Sequence, residues 1–217
     1  MNSVAFVTVA HHAADAELAL TPVHGEVLLT HTVRGLLDTP DLGPVVVAAP
    51  ARFARAFGDA VSGLSPRCRV LPDASVRHAF AAVEPELSAD TSILVHDALR
   101  AFTPAETFRD VIATVRAGAS VVVPVLPMAD TVKVTDEAKL ITRTEDRTHL
   151  RTAQTPLGFT LDAFRAACAE GEPDLTAAIR AGAVTIDGHP DAMRVASPFE
   201  LTLAEAIAAM ADTEETL

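Results

Sequence analysis

Asp97 and Arg100 stand three residues apart in the segment His96-Asp97-Ala98-Leu99-Arg100. A carboxylate so placed can hold a magnesium ion or a sugar hydroxyl, and a guanidinium beside it can fork onto a phosphate. The plainer reading is an Asp–Arg pair that only fixes a loop. Other polar groups follow in order: Asp130-Thr131-Val132-Lys133, then Asp146-Arg147, then AQTPLGF from Ala153 to Phe159, then SPFELTLAEA from Ser197 to Ala206. The N-terminus has the opposite character. Residues 7–20 read VTVAHHAADAELAL, with no glycine, arginine or lysine. A loop that wraps a triphosphate needs glycines to let its N–H groups curl around the anion, and cations to match the charge that grows in the reaction. Here Asp15 and Glu17 occupy that stretch, and the first arginine is Arg34. His11 and His12 could carry partial charge near neutral pH. As neighbours on an extended segment they point to opposite faces, which argues against a shared metal.

These groups need a scaffold. Val4 to Ala10 and the proline-bounded run Pro44 to Pro50 read as buried strands. Thr91 to Val95 reads as a strand that ends at His96-Asp97, and Ala119 to Val125 as another. Val70-Leu71 is a short strand. Val27 to Leu37 places apolar residues at 29, 33, 36 and 37, one face of a helix. Ala51 to Val61 and Ser75 to Val83 are helical by pattern. Thr103-Pro104-Ala105-Glu106 and Ser197-Pro198-Phe199-Glu200 each place a hydroxyl cap, a proline and a glutamate at a helix start. Strands alternating with helices predict an α/β sandwich with a mostly parallel sheet. In such sheets ligands sit beyond the carboxyl ends of the strands, where His96 to Arg100 falls. Residues 131–152 break the rhythm and read as a projecting two-stranded arm. An isolated pair of strands cannot bury both faces, so the arm predicts a homodimer in which arms clasp. The alternative is an arm lying on its own sheet.

The chain has 217 residues and a formal net charge of −12. That length fits one domain, 1–217, with the arm as an excursion. Such an acidic surface repels phosphate backbones and anionic lipid, which speaks against nucleic-acid and membrane partners. No apolar run reaches the roughly 20 residues of a membrane helix, and no basic leader opens the chain. Cys68 and Cys168 form no C-x-x-C pair. Two buried thiols in a reducing cytoplasm are the expectation.

The order H-D-A-x-R, D-T-x-K, D-R, T-P-x-x-F and S-P-x-x-L-x-L-A-E-A resembles the 2-C-methyl-D-erythritol 4-phosphate cytidylyltransferases. The similarity covers roughly Thr91 to Met210, and extends back through Gly25 to Leu37 and Ser75-Val76. That family joins CTP to a polyol phosphate in non-mevalonate isoprenoid synthesis and releases pyrophosphate. The resemblance implies a Rossmann-like three-layer sandwich, a homodimer clasped by arms, and magnesium. It implies catalytic roles for Asp97, Arg100 and Arg194, with Asp97 also facing the metal. It places Thr131, Arg147 and Thr155 on the substrate, the first two across the dimer, and Ala10 and Ser75 on the nucleotide. Arg194 stands where the family has a lysine. The family's Gly-rich loop, with its arginine and lysine, is not present, and the segment before Ser75 is shortened. Three readings therefore stand: a divergent cytidylyltransferase, an inactive paralogue acting as a sugar-phosphate-binding or regulatory dimer, and a nucleotidyltransferase with another substrate.

Overall fold

The computed structural model describes residues 3–9, 13–72 and 75–215, with side chains as far as residue 210. Its strands are β1 (Ser3–Thr8), the short pair β2 (Pro22–Val23) and β3 (Glu26–Val27), β4 (Val45–Ala49), β5 (Cys68–Pro72), β6 (Ser92–Asp97), β7 (Val121–Pro127), β8 (Lys133–Thr135), β9 (Ile141–Thr144), β10 (Arg151–Ala153), β11 (Leu157–Thr160) and β12 (Val184–Asp187). Its α-helices are α1 (Ala13–Leu18), α2 (Leu28–Asp38), α3 (Ala54–Val61), α4 (Val76–Val83), α5 (Ala105–Arg116), α6 (Leu161–Glu170), α7 (Leu175–Arg180) and α8 (Pro198–Glu215).

The main sheet runs β10-β7-β11-β6-β1-β4-β5, and β12 pairs with β7 in parallel. β5, β4, β1 and β6 are parallel neighbours, while β11 runs antiparallel between β6 and β7. This is the expected mostly parallel sheet. Its strands read as unbroken apolar runs because both faces are covered. Successive side chains alternate between two separate cores. Ala5 and Val7 of β1, Val45 and Val47 of β4, and Leu94 of β6 pack with α2, α3, α5 and α8. Val4 and Phe6, Val46 and Ala48, and Ile93 and Val95 pack on the other face with α4, α6 and α7. The second core is aromatic at its centre. Phe164 stacks on Phe6 at 5.7 Å between ring centroids and meets Phe80 and Phe159 edge-on at 4.9 and 5.3 Å.

Local signals held in part. Ser197 caps α8: its Oγ accepts the Glu200 N–H at 3.4 Å, and the Glu200 carboxylate accepts the Ala196 N–H at 2.8 Å. Thr103 does not cap α5. Its hydroxyl turns back to the Arg100 carbonyl at 2.9 Å, and the helix starts at Ala105. The 51–61 helix opens as a 3-10 turn over Ala51–Phe53 before α3 begins. The arm is also shorter than residues 131–152. β8 and β9 pair with each other, but Arg151–Ala153 has already rejoined the main sheet on β7. Leu140 and Ile141 at the arm tip are 65% and 67% exposed, so the arm does not lie flat on its own sheet. Among the described residues, no helix is long and apolar enough to cross a membrane.

Candidate active site

β1 and β6 end flush, with Thr8 paired to Asp97. The chain leaves β1 toward β4 on one side and returns from β5 to β6 on the other. The strand order thus reverses between them, which opens a crevice at their carboxyl ends. A cleft of about 300 Å³ lies there, bounded by Val9, Val76, Asp97, Thr155, Glu172 and Asp174, among others.

Thr155 reaches this cleft because its strand is bulged. β10 and β11 both run antiparallel to β7, but the four residues 154–157 oppose only residues 123–124. Such an insertion re-aims side chains and is common beside active sites. Thr155 Oγ1 accepts the Asp97 N–H at 3.1 Å and lies 3.0 Å from His96 Nδ1. His96 is wholly buried, against Phe108. Burial pushes its pKa down to about 3, with a smaller opposing effect from the Arg100 carbonyl, so the ring is neutral. Its Nε2 lies 3.2 Å from that carbonyl, which can only accept, so Nε2 carries the proton. Nδ1 is then an acceptor, and the Thr155 hydroxyl donates to it.

Asp97 is held at both oxygens. Oδ1 accepts the Leu99 N–H at 3.0 Å, and Oδ2 accepts Arg194 Nε–H at 2.7 Å. Arg194 reaches further, to Asp15 Oδ2 at 3.0 Å through Nη2. Burial works to lower the Arg194 pKa, but Asp97 and Asp15 outweigh it and raise it above arginine's ordinary value. Two of the five guanidinium N–H groups are thereby used, and three have no partner among the described residues.

Arg100 faces away from this exchange. Its guanidinium donates to the carbonyls of Ala192 at 2.5 Å and Ala153 at 3.2 Å, and its buried Nε has no partner among the described residues. Burial lowers its pKa, against the pull of Asp97. The buried amide of Gln154 completes the knot: it donates to the carbonyls of His189 and Ala192 and accepts the His189 N–H. A Cβ on Gly188 would meet Gln154 Oε1 at 2.2 Å, so a side chain there would displace this amide from its bonds. Val195 N–H adds a bond to the Leu99 carbonyl at 2.8 Å. Together these contacts fix the 188–195 segment that delivers Arg194.

Among the described residues, no group of three or more His, Cys, Asp or Glu is arranged to hold a metal. Asp97, a single carboxylate at the cleft wall, matches the small protein share that magnesium needs. That ion takes one or two carboxylates, keeps several waters and relies on substrate phosphates for the rest.

Residues 10–210 match the family model IspD, 2-C-methyl-D-erythritol 4-phosphate cytidylyltransferase. The chain belongs to this cytidylyltransferase family. It is 43% identical over 202 residues to the 2-C-methyl-D-erythritol 4-phosphate cytidylyltransferase of Saccharopolyspora erythraea, covering 88% of this chain and 90% of the relative. It is 37% identical over 203 residues to the same enzyme of Nocardia farcinica, covering 87% and 84%. Among solved structures, a 4-diphosphocytidyl-2C-methyl-D-erythritol synthase shares the fold with a TM-score of 0.81 at 21% identity, covering 95% of this chain and 99% of that one. The cytidylyltransferase of Thermus thermophilus does so with a TM-score of 0.72 at 24% identity, covering 96% and 100%.

The cytidylyltransferase residues expected from the sequence fall into two groups. Asp97, Arg194 and Thr155 come together at the cleft. Ser75 stands at its edge as the cap of α4, where its Oγ accepts the His78 N–H at 3.3 Å. Thr131 and Arg147 do not reach the cleft of their own chain. Thr131 is exposed, and Arg147 donates to the Ala129 carbonyl at the base of the arm. Ala10, His11 and His12 lie outside the described residues. The contact that sequence reading missed is Asp15. It looked like an acid in the place of a cation; it is a ligand of the cation. Glu17 likewise pairs with a distant arginine, Arg52.

Proposed function

We propose that this chain is a working member of its family, which transfers a cytidylyl group from CTP to 2-C-methyl-D-erythritol 4-phosphate. The observation that carries this reading is Arg194, bonded to Asp97 of the cleft wall, with three N–H groups that have no partner among the described residues. A phosphate oxygen of the sugar attacks the α-phosphorus of CTP. The bond to the bridging oxygen breaks, and pyrophosphate leaves with the electron pair. Arg194 stabilises the charge that accumulates on the phosphates, which in a cleft costs no reorganisation at the moment of reaction. Asp97 orients that guanidinium, and Thr155 fixes the Asp97 backbone. Asp97 would hold magnesium, whose chemistry is to neutralise the triphosphate. Arg100 acts on the substrate only through the Arg194 loop it clamps. Ser75 borders the nucleotide, and Thr131 and Arg147 serve the sugar phosphate of the partner subunit.

A second reading rests on the absence of any lysine or arginine from the first 33 residues. On it, the chain is an inactive paralogue that binds a sugar phosphate. Calorimetric titration with CTP and magnesium, followed by a pyrophosphate-release assay, separates the two. Release that requires both substrates supports transfer. No CTP binding with retained binding of methylerythritol phosphate supports the paralogue. The exposed arm tip, Leu140 and Ile141, also leads us to propose a homodimer. Light scattering at micromolar protein is expected to give twice the chain mass, and a monomer would count against the arm contact.

A further inference from the structure

We infer that Asp15 is a positioning residue for the reaction, because it holds the far end of the guanidinium whose near end Asp97 holds. The inference rests on the cytidylyl-transfer reading. A guanidinium on a long side chain has many rotamers, and catalysis requires one. Asp97 alone, through Nε, leaves the plane free to swing about that bond. A second anchor at Nη2, 3.0 Å away on α1, fixes the plane. Both carboxylates are largely shielded, with side chains 16% and 15% exposed, and Arg194 is 28% exposed. The pairs are therefore screened less than surface ion pairs. The same geometry ties α1 to the 188–195 segment beside Asp97 of the cleft wall. Asp15 touches no reacting atom in this role. It acts through Arg194.

Charge and position make opposite predictions for Asp15→Asn. Removing a negative charge near a polyanion, by itself, tightens CTP binding and leaves the chemical step alone. Losing an anchor lets Arg194 wander, and a misplacement of about 1 Å can cost about 10²-fold in rate. The expected result is a kcat lowered by about 10- to 10²-fold with KM for CTP unchanged or lower. Asp15→Glu is expected to recover most of the kcat. Glu17→Gln removes a charge from the same helix without touching Arg194, and should behave as wild type. Wild-type kcat in Asp15→Asn overturns the inference, whatever happens to KM. Should the wild-type protein itself release no pyrophosphate, the proposed function falls, and NMR decides this inference separately. The Nη–H signal of Arg194, assigned by its loss in Arg194→Lys, is expected to exchange slowly in wild type and rapidly in Asp15→Asn. An unchanged signal would overturn it.

Discussion

Replacing Arg194 by alanine is expected to lower kcat for pyrophosphate release by about 10²–10³-fold, the usual consequence of losing one preorganised donor to a developing anion. No arginine or lysine is among the described residues that line the cleft, and Arg194 borders it through its bond to Asp97, so nothing in the lining substitutes. The variant also leaves Asp97 and Asp15 facing the triphosphate without their shared cation, so KM for CTP should rise as well. Arg194→Lys should fall between the two. It keeps the charge but cannot span two carboxylates with a planar fork. Stopped assays at saturating CTP, with circular dichroism as the check on folding, measure this. A kcat within threefold of wild type in Arg194→Ala would remove Arg194 from the chemistry.

The largest stability effect is expected at Phe164→Ala, about 3–5 kcal/mol. Phe164 is fully buried and touches three other rings, from β1, α4 and β11. Truncation leaves a cavity walled by rings that cannot collapse onto it, since each is fixed on a different element. At this chain length the loss corresponds to a melting point lower by about 6–20 °C. Thermal unfolding followed by circular dichroism reads it directly. A shift under 3 °C would mean that the aromatic cluster repacks.

Much of this architecture was legible because it rests on local chemistry. Prolines bracket the β4 run, the β-branched residues of β6 lead straight to Asp97, and Ser197 with Glu200 announces α8. Failures came where a competing local partner or a contact distant along the chain decides the outcome. Thr103 had the composition of a cap, yet its hydroxyl found a better acceptor at Arg100. Strand direction is not written in an apolar run, so nothing marked β11 as antiparallel. Nor did anything mark the insertion that turns Thr155 into the cleft. β12 is an edge strand, largely exposed, and lacks the apolar density of the others. The short helix α7 carried one readable sign, Asp174, whose carboxylate caps it. Asp15 and Arg194 are remote in sequence, and no pattern of spacing could join them. Read alone, Asp15 looked hostile to a phosphate. Its meaning depends on a partner that only the fold supplies.

The neutral ring of His96 has a chemical corollary for whatever occupies the cleft. Its Nδ1 takes the only hydrogen that Thr155 Oγ1 has to give. One lone pair of that oxygen is engaged by the Asp97 amide, and the other is left. The threonine is therefore a pure acceptor, and a ligand atom that meets it must bring its own proton. A sugar hydroxyl does so. An ionised phosphate oxygen would set lone pair against lone pair. A buried imidazole that does not line the cleft thus sets Thr155 to favour a ligand group that donates a hydrogen over an ionised one.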